Sequence, residues 1–292
     1  MSDYLSNTLI LIPFVGTALV AAAVLGVLAG VLGPLIVTRN MAFSVHGTSE
    51  LALTGGAAAL LVGINVGYGS LIGAVVAAVV LGLLTRKVSE HDSVIGAVLA
   101  FGLGVGVLLL SFYEGNSANK FGLLIGQIAS VDPGSLVLLV GAAVGVLVVL
   151  AFIYRPLLFA SVDAEVAAAR GVPLRVLSPV FAVLVGVATA LGVQTVGSLL
   201  VLSLMITPAA AASRVTASPL VATVLSIVFA ELAVLGGIVL SLVPGKPVSA
   251  FVTGISFLIY LLCRLVGALR ARRIGSGRGL ASAHLAVGAG RP

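Results

Sequence analysis

Ionisable side chains within apolar runs are the first candidates for chemistry in this sequence. His46 and Glu50 stand four residues apart at the start of an apolar segment, so on a helix they would be neighbours on one face. An imidazole and a carboxylate at that spacing could bind one divalent transition metal together. Pairing with each other, or hydrogen bonds to neighbouring helices, would explain them equally well. Two ligands are also too few for a tight site, which a second copy of the chain could complete.

A third ionisable residue, Glu231, lies in the middle of another apolar run, VFAELAVLGG. It could line a water-filled path, or be a protonated or hydrogen-bonded carboxyl between helices. The sequence has no phosphate-binding GxxxxGK[ST], no HExxH and no GxSxG motif. If the chain transports a solute, the energy must come from an ion gradient or from a separate ATPase.

The composition is typical of a protein that lies in a lipid bilayer. Of 292 residues, 60% are apolar and 8% charged, with a mean hydropathy of +1.30, whereas a soluble domain is about 25% charged. Soluble enzymes and nucleic-acid-binding proteins are therefore excluded. Apolar runs of about 20 residues predict an all-α, polytopic membrane bundle of eight or nine helices. The predicted spans are 15–37, 46–65, 68–85, 93–113, 135–154, 174–193, 195–212, 219–243 and 248–269. Thr207-Pro208 interrupts the seventh of them.

The 15 Lys and Arg residues orient the chain. With the N-terminus outside, thirteen of them fall in inner loops and the C-terminal tail, and only Lys120 and Lys246 fall outside. This positive-inside bias favours an odd number of spans and explains the basic charge without an anionic ligand. We therefore expect an interfacial lead-in over 1–14, a membrane domain over 15–269, and a disordered, basic cytoplasmic tail over 270–292.

A short cytoplasmic helix is predicted between the fifth and sixth spans. Ser161 or Asp163 can cap its N-terminus, and Glu165 falls in its first turn. Arg170 falls in its last turn, and Gly171 suits the left-handed position after the C-terminus. The segment is either a structured loop or a helix that docks into a groove on a cytoplasmic partner.

Four stretches resemble the membrane permeases of ATP-binding-cassette (ABC) importers for divalent metals, of the zinc, manganese and iron type. Residues 26–61 have the family's glycine, basic residue, methionine and polar pair four apart. Residues 92–111 resemble its fourth span, and residues 157–177 resemble its coupling helix with a following glycine. Residues 192–212 resemble its Val-Gly, Leu-Leu-Val and Pro-Ala-Ala run. The stretches occur in the family order and cover most of 16–268.

The resemblance implies a type II ABC importer-like fold and a permease that is not itself an enzyme. It also implies a homodimer in the plasma membrane, a cytoplasmic ATPase bound at a coupling helix over about 161–173, and an extracytoplasmic metal-binding protein. The divalent ion would be cargo, with no permanently bound cofactor. His46 and Glu50 would mark the translocation path, and Glu231 is a further candidate.

The chain departs from the family at the polar pair. The usual pattern resembles Asp followed four residues later by His, whereas this chain has His46 and then Glu50. Each chain still offers one imidazole and one carboxylate, but the identity of the metal is left open. One alternative is an ABC permease for a metal complex or another small solute. The other is a secondary transporter driven by an ion gradient, with Glu231 as proton carrier.

Overall fold

A computed structural model describes residues 16–84, 91–115, 133–242 and 247–288. These residues form ten helices and no strands. The helices are α1 Gly16–Thr38, α2 Ala42–Val62, α3 Val66–Leu84, α4 His91–Phe112, α5 Pro133–Val162, α6 Ala164–Ala169, α7 Leu174–Val196, α8 Ser198–Val215, α9 Pro219–Leu242 and α10 Val248–Gly288. Each predicted span corresponds to one helix, which confirms the all-α bundle.

Six of these helices, α1, α4, α5, α7, α9 and α10, are long and apolar enough to cross a membrane. Val66–Leu81 in α3 and Leu200–Val215 in α8 are shorter apolar helices. The remaining long helix, α2, carries His46 and Glu50 and packs against α3, α4, α7 and α8. Neighbouring helices therefore shield Glu50, which is buried, as a carboxyl group in a bilayer requires.

The contact between α2 and α3 depends on glycines that let the two backbones approach. Gly55 of α2 lies against the carbonyl oxygen of Gly69, and a Cβ at Gly55 would stand 2.9 Å from the Cα of Gly73. Small residues at helix contacts permit this close packing in membranes. The position of α2 is therefore set by backbone contact rather than by interlocking long side chains.

A tight hairpin joins α7 to α8. Gly197 alone separates the two helices, with a φ of +85° that side-chain-bearing residues rarely adopt. Gly192 of α7 then lies close to α8, since a Cβ there would be 2.8 Å from Cγ2 of Val201. The hairpin holds α8 in a fixed register against α7.

The interruption predicted at Thr207-Pro208 does not occur. α8 continues through Pro208 as one helix. A proline inside a helix removes one backbone N–H and leaves the carbonyl of Leu204 without its usual donor. Helices in membranes tolerate this when neighbouring helices support them, and α8 packs against α1, α7, α9 and α10.

The last helix extends beyond the membrane domain that we expected to end near residue 269. The backbone of α10 is helical up to Gly288, whereas the composition predicts disorder from residue 270. Extending an existing helix requires no new nucleus, and Ala, Leu and Arg favour helix, whereas Gly275, Gly277 and Gly279 of the same segment disfavour it. The expected lead-in over 1–14 lies outside the described residues.

Candidate functional site

His46 and Glu50 lie one turn apart on α2, as their spacing predicts. Nδ1 of His46 is 4.0 Å from Oε1 of Glu50. The Glu50 side chain is 3% exposed, and that of His46 is 31% exposed. Within the described residues, neither Nδ1 of His46 nor Oε2 of Glu50 has a hydrogen-bond partner. Buried polar atoms normally have one, so this pair has atoms available to a ligand.

His46 lines an open recess of about 520 Å³ between the first turns of α2 and the middle of α8. Its walls are Ala42, Phe43, His46, Leu202, Ser203, Ile206 and Thr207. Sequence reasoning missed Ser203 and Thr207, whose hydroxyl groups add oxygen atoms to the surface of the recess. No spacing rule connects α8 to α2, because the chain between the two helices is long and the contact is tertiary.

The backbone around Glu50 is fixed against α4. The hydroxyl of Thr54 donates to the carbonyl of Gly102 at 2.7 Å and to that of Glu50 at 2.9 Å. A Cβ at Gly102 would stand 3.3 Å from Cβ of Glu50. The contact between α2 and α4 therefore sets the position from which the carboxylate extends.

Glu231 lies in a different interface, between α9 and α1. A Cβ at Gly26 would stand 2.6 Å from Oε1 of Glu231, and within the described residues this oxygen has no hydrogen-bond partner. Glu231 does not line the recess beside His46. Its part in a translocation path stays a prediction, and its position fits a carboxyl group held between two helices.

The short cytoplasmic helix forms as α6, and Asp163 is its N-cap. Oδ1 of Asp163 accepts a hydrogen bond from the N–H of Val166 at 2.9 Å. At the other end, Gly171 has a φ of +84°, and the N–H of Val172 bonds the carbonyl of Ala167 at 3.0 Å. This is a Schellman ending, so both ends of α6 are closed by local interactions.

The other three residues predicted to belong to this helix, Ser161, Glu165 and Arg170, lie at different positions relative to α6. Ser161 is not a cap: it lies in the last turn of α5 and donates to the carbonyl of Leu157 at 2.7 Å. Glu165 falls in the first turn of α6, and Arg170 is its C-cap. Apart from Ala167, the residues of α6 are exposed. The helix therefore presents most of its surface to whatever lies outside the bundle.

One copy of the chain supplies few ligands. No group of three or more His, Cys, Asp or Glu side chains that could hold a metal occurs in the part of the chain that the structure describes. The candidate site within a single chain is therefore the His46–Glu50 pair, together with the hydroxyl groups of the recess.

Comparison with known proteins agrees with this architecture. The sequence model of the ABC 3 transport family matches residues 12–267. Over 227 residues the chain is 29% identical to the manganese transport system membrane protein MntC of Halalkalibacterium halodurans, covering 77% of this chain and 78% of that protein. Over 200 residues it is 30% identical to the manganese import system permease protein ScaB of Streptococcus parasanguinis, and the match covers 68% of this chain and 71% of that protein.

Two solved structures share the fold. PsaBC from Streptococcus pneumoniae in complex with Fab matches with a TM-score of 0.80 and 23% identity, covering 89% of this chain and 95% of that chain. A putative metal-chelate type ABC transporter in an inward-facing conformation matches with a TM-score of 0.67 and 16% identity. The expected importer-like bundle is confirmed, and the chain is a multi-pass membrane permease rather than an enzyme. Because the family match spans most of its length, this chain belongs to the ABC 3 transport family.

Proposed function

We propose that this chain is the permease subunit of an ABC importer that carries manganese across the bacterial plasma membrane. The observation that supports this most is the His46–Glu50 pair, in which two buried atoms have no partner within the described residues and His46 lines an open recess. The two relatives named above are described as a membrane protein of a manganese transport system and a permease protein of a manganese import system. Carboxylate oxygen suits Mn²⁺, and imidazole widens the range to zinc and iron, so the choice among the three ions needs an experiment.

A second copy of the chain completes the ligand set in this proposal. Each chain contributes one imidazole and one carboxylate, and a homodimer would contribute two of each. The recess beside His46 is open at the surface of one chain, as expected where a neighbouring subunit closes it. The metal passes as cargo, so weak and exchangeable binding serves the function better than a permanent site.

The ATPase docks on α6 in this proposal, and an extracytoplasmic metal-binding protein delivers the ion from the other side. Support for the docking comes from the closed ends and the exposure of α6. Support for the orientation, with the N-terminus outside and the C-terminus in the cytoplasm, comes from the basic residues. Hydrogen bonds from Arg39 to Ser161 and Ser178 bring the predicted inner loop after the first span together with the two ends of the inner segment that contains α6.

The alternative of a gradient-driven secondary transporter loses its basis, because the chain belongs to an ABC transport family. An ABC permease for a metal complex or another small solute stays as the alternative outcome of the experiment. That alternative predicts no uptake of the bare ion.

The test uses a bacterial strain in which this system is the only importer of its kind. We expect uptake of radioactive Mn²⁺. The extent to which unlabelled Zn²⁺ and Fe²⁺ reduce that uptake ranks the three ions by their preference for the transporter. His46→Ala and Glu50→Ala should abolish uptake while the dimer and its ATPase still assemble. Unchanged Mn²⁺ accumulation in both variants would refute the site, and absence of uptake by the wild type would refute the cargo.

The docking role of α6 has its own test. A Gly/Ser linker in place of residues 161–173 should separate ATP hydrolysis from transport, because the ATPase loses the surface through which it acts. Co-purification of the ATPase at the wild-type level with this variant would contradict the docking role.

A further inference from the structure

Arg39 lies in the turn between α1 and α2, outside the proposed metal path. The turn has a defined shape, since Asn40 has a φ of +54° and the N–H of Met41 bonds the carbonyl of Ile36 at 2.9 Å. The right-handed helix α1 therefore ends with a residue in the left-handed backbone conformation. α2 begins at once, with the N–H of Val45 bonded to the carbonyl of Met41 at 3.0 Å. A displacement of Arg39 is therefore passed to the start of α2.

The guanidinium group of Arg39 reaches two other helices. Nη1 donates to Oγ of Ser161 at 3.2 Å, and Nη2 donates to Oγ of Ser178 at 2.9 Å. The group also lies 5.6 Å from the ring centre of the buried Phe181, within cation–π distance. Burial lowers the pKa of Arg39 from its ordinary value, yet an arginine in a protein stays protonated. A permanent charge thus joins three parts of the bundle.

The two serines stand on either side of α6. Ser161 lies in the last turn of α5, shortly before the N-cap Asp163, and Ser178 lies near the start of α7. Arg39 therefore connects both flanks of the cytoplasmic helix to the turn that leads into α2. Further along α2, on the next turns, are His46 and Glu50.

The partners of Arg39 are neutral. Hydroxyl groups hold a guanidinium less tightly than a carboxylate does, and within the described residues no Asp or Glu forms an ion pair with Arg39. A contact that only fastens the bundle would gain from a carboxylate. Neutral acceptors suit a contact that is broken and remade during a transport cycle.

We propose that Arg39 is a positioning residue that transmits displacement of α6 to α2, and so to the helix that bears His46 and Glu50. The inference rests on the proposed function, in which α6 receives the movement of the ATPase. Arg39 itself binds neither the ATPase nor the metal. Its hydrogen bonds make α2 move together with the segments that flank α6.

The experiment measures Mn²⁺ transported per ATP hydrolysed, in proteoliposomes that contain the permease with its own ATPase and metal-binding protein. Arg39→Gln should lower this ratio at least about fivefold, the lower end of typical coupling between sites. Arg39→Lys, which keeps the charge but not the two-armed reach, should restore part of the ratio. The matched control is Arg155→Gln, because Arg155 is exposed on α5 and makes no hydrogen bond or ion pair within the described residues.

A second variant protects the test against failure to fold. The double variant Ser161→Ala and Ser178→Ala removes both acceptors and leaves every charge in place. Its ratio should fall as in Arg39→Gln while its melting temperature stays close to that of the wild type. A wild-type ratio in a folded Arg39→Gln protein, or in the double variant, would overturn the inference.

A readout without metal separates this inference from the proposed function. Phe43 lines the recess and is 58% exposed, so Phe43→Cys in a Cys263→Ala background gives one reactive thiol there. ATP with vanadate should change its rate of labelling by a maleimide, and Arg39→Gln should abolish that change. A change that persists in Arg39→Gln overturns the inference, even if the wild type fails to transport Mn²⁺ and the proposed cargo is refuted.

Discussion

Nδ1 of His46 and Oε1 of Glu50 lie 4.0 Å apart on successive turns of α2. This separation is too long for a hydrogen bond, so neither side chain provides a hydrogen-bond partner for the other. Oε2 of Glu50 also has no partner within the described residues. Of the explanations that the spacing alone left open, the geometry favours a pair that receives a ligand over a pair that closes on itself.

Removing the charge of Glu50 should slow transport strongly without disturbing the fold. Glu50→Gln keeps the shape of the side chain but replaces one carboxylate oxygen by an amide nitrogen. Loss of even an outer-shell partner of a metal costs about 10–100-fold in affinity or activity, so we expect initial Mn²⁺ uptake to fall at least about tenfold. Uptake into cells, normalised to permease in the membrane, measures this.

Glu231→Gln is the matched control for that substitution. Glu231 packs between α9 and α1, where Oε1 would be 2.6 Å from a Cβ at Gly26. We expect Mn²⁺ uptake close to that of the wild type, since Glu231 lies in the contact between α1 and α9 and does not line the recess beside His46. A tenfold loss in Glu231→Gln with full uptake in Glu50→Gln would reverse the two roles.

Exchanging the order of the pair should preserve the donor set. The double variant His46→Asp and Glu50→His places a carboxylate first and an imidazole four residues later, still on one face of α2. We expect it to recover more Mn²⁺ uptake than either single variant, because each single variant has two like groups. Competition by Zn²⁺ should be strongest for the single variant with two imidazoles, which zinc favours. Equal loss in all three variants would show that position matters and donor type does not.

A methyl group at the α2–α3 contact should destabilise the bundle. A Cβ in Gly55→Ala would meet the carbonyl oxygen of Gly69, and backbone atoms there cannot move aside as a flexible side chain would. Overpacking of this kind costs about 1–3 kcal/mol, so the melting temperature in detergent should fall.

The matched control for that substitution is Gly141→Ala. Gly141 lies on α5 with nothing within 4 Å of an added Cβ, so its melting temperature should stay at or above that of the wild type. Equal melting temperatures for the two variants would show that the helices separate without cost at Gly55.

Loss of the cap of α6 should weaken ATPase binding. Asp163→Ala removes the acceptor of the Val166 N–H, at a typical cost of about 1 kcal/mol, or about fivefold in affinity if the helix must form to bind. Asp163→Asn keeps a capping oxygen and should bind as the wild type does. Titration of the purified ATPase onto the permease measures both, and equal weakening in the two variants would assign the effect to charge instead of capping.

The helices of this fold were predictable because a helix that crosses a bilayer needs a long apolar run, which is easy to recognise in a sequence. A span must be apolar over about 20 residues, and α1, α7 and α9 begin and end within a few residues of their predicted bounds. The cap Asp163 and the terminal Gly171 of α6 were readable for a similar reason, since both act on backbone groups a few residues away. Pro208 misled the prediction, because the signal for a helix break is local whereas the packing that tolerates it is not.

The amino-acid sequence alone determined the class of protein, the approximate positions of the spans, the His46–Glu50 spacing and the short cytoplasmic helix, because all of these depend on neighbours along the chain. The tertiary structure decided what lies opposite each residue. It placed Glu231 against α1, set Ser203 and Thr207 beside His46, and joined Arg39 to Ser161 and Ser178. Residues more than a hundred positions apart meet only when helices pack, and no periodicity of the sequence records which faces will meet.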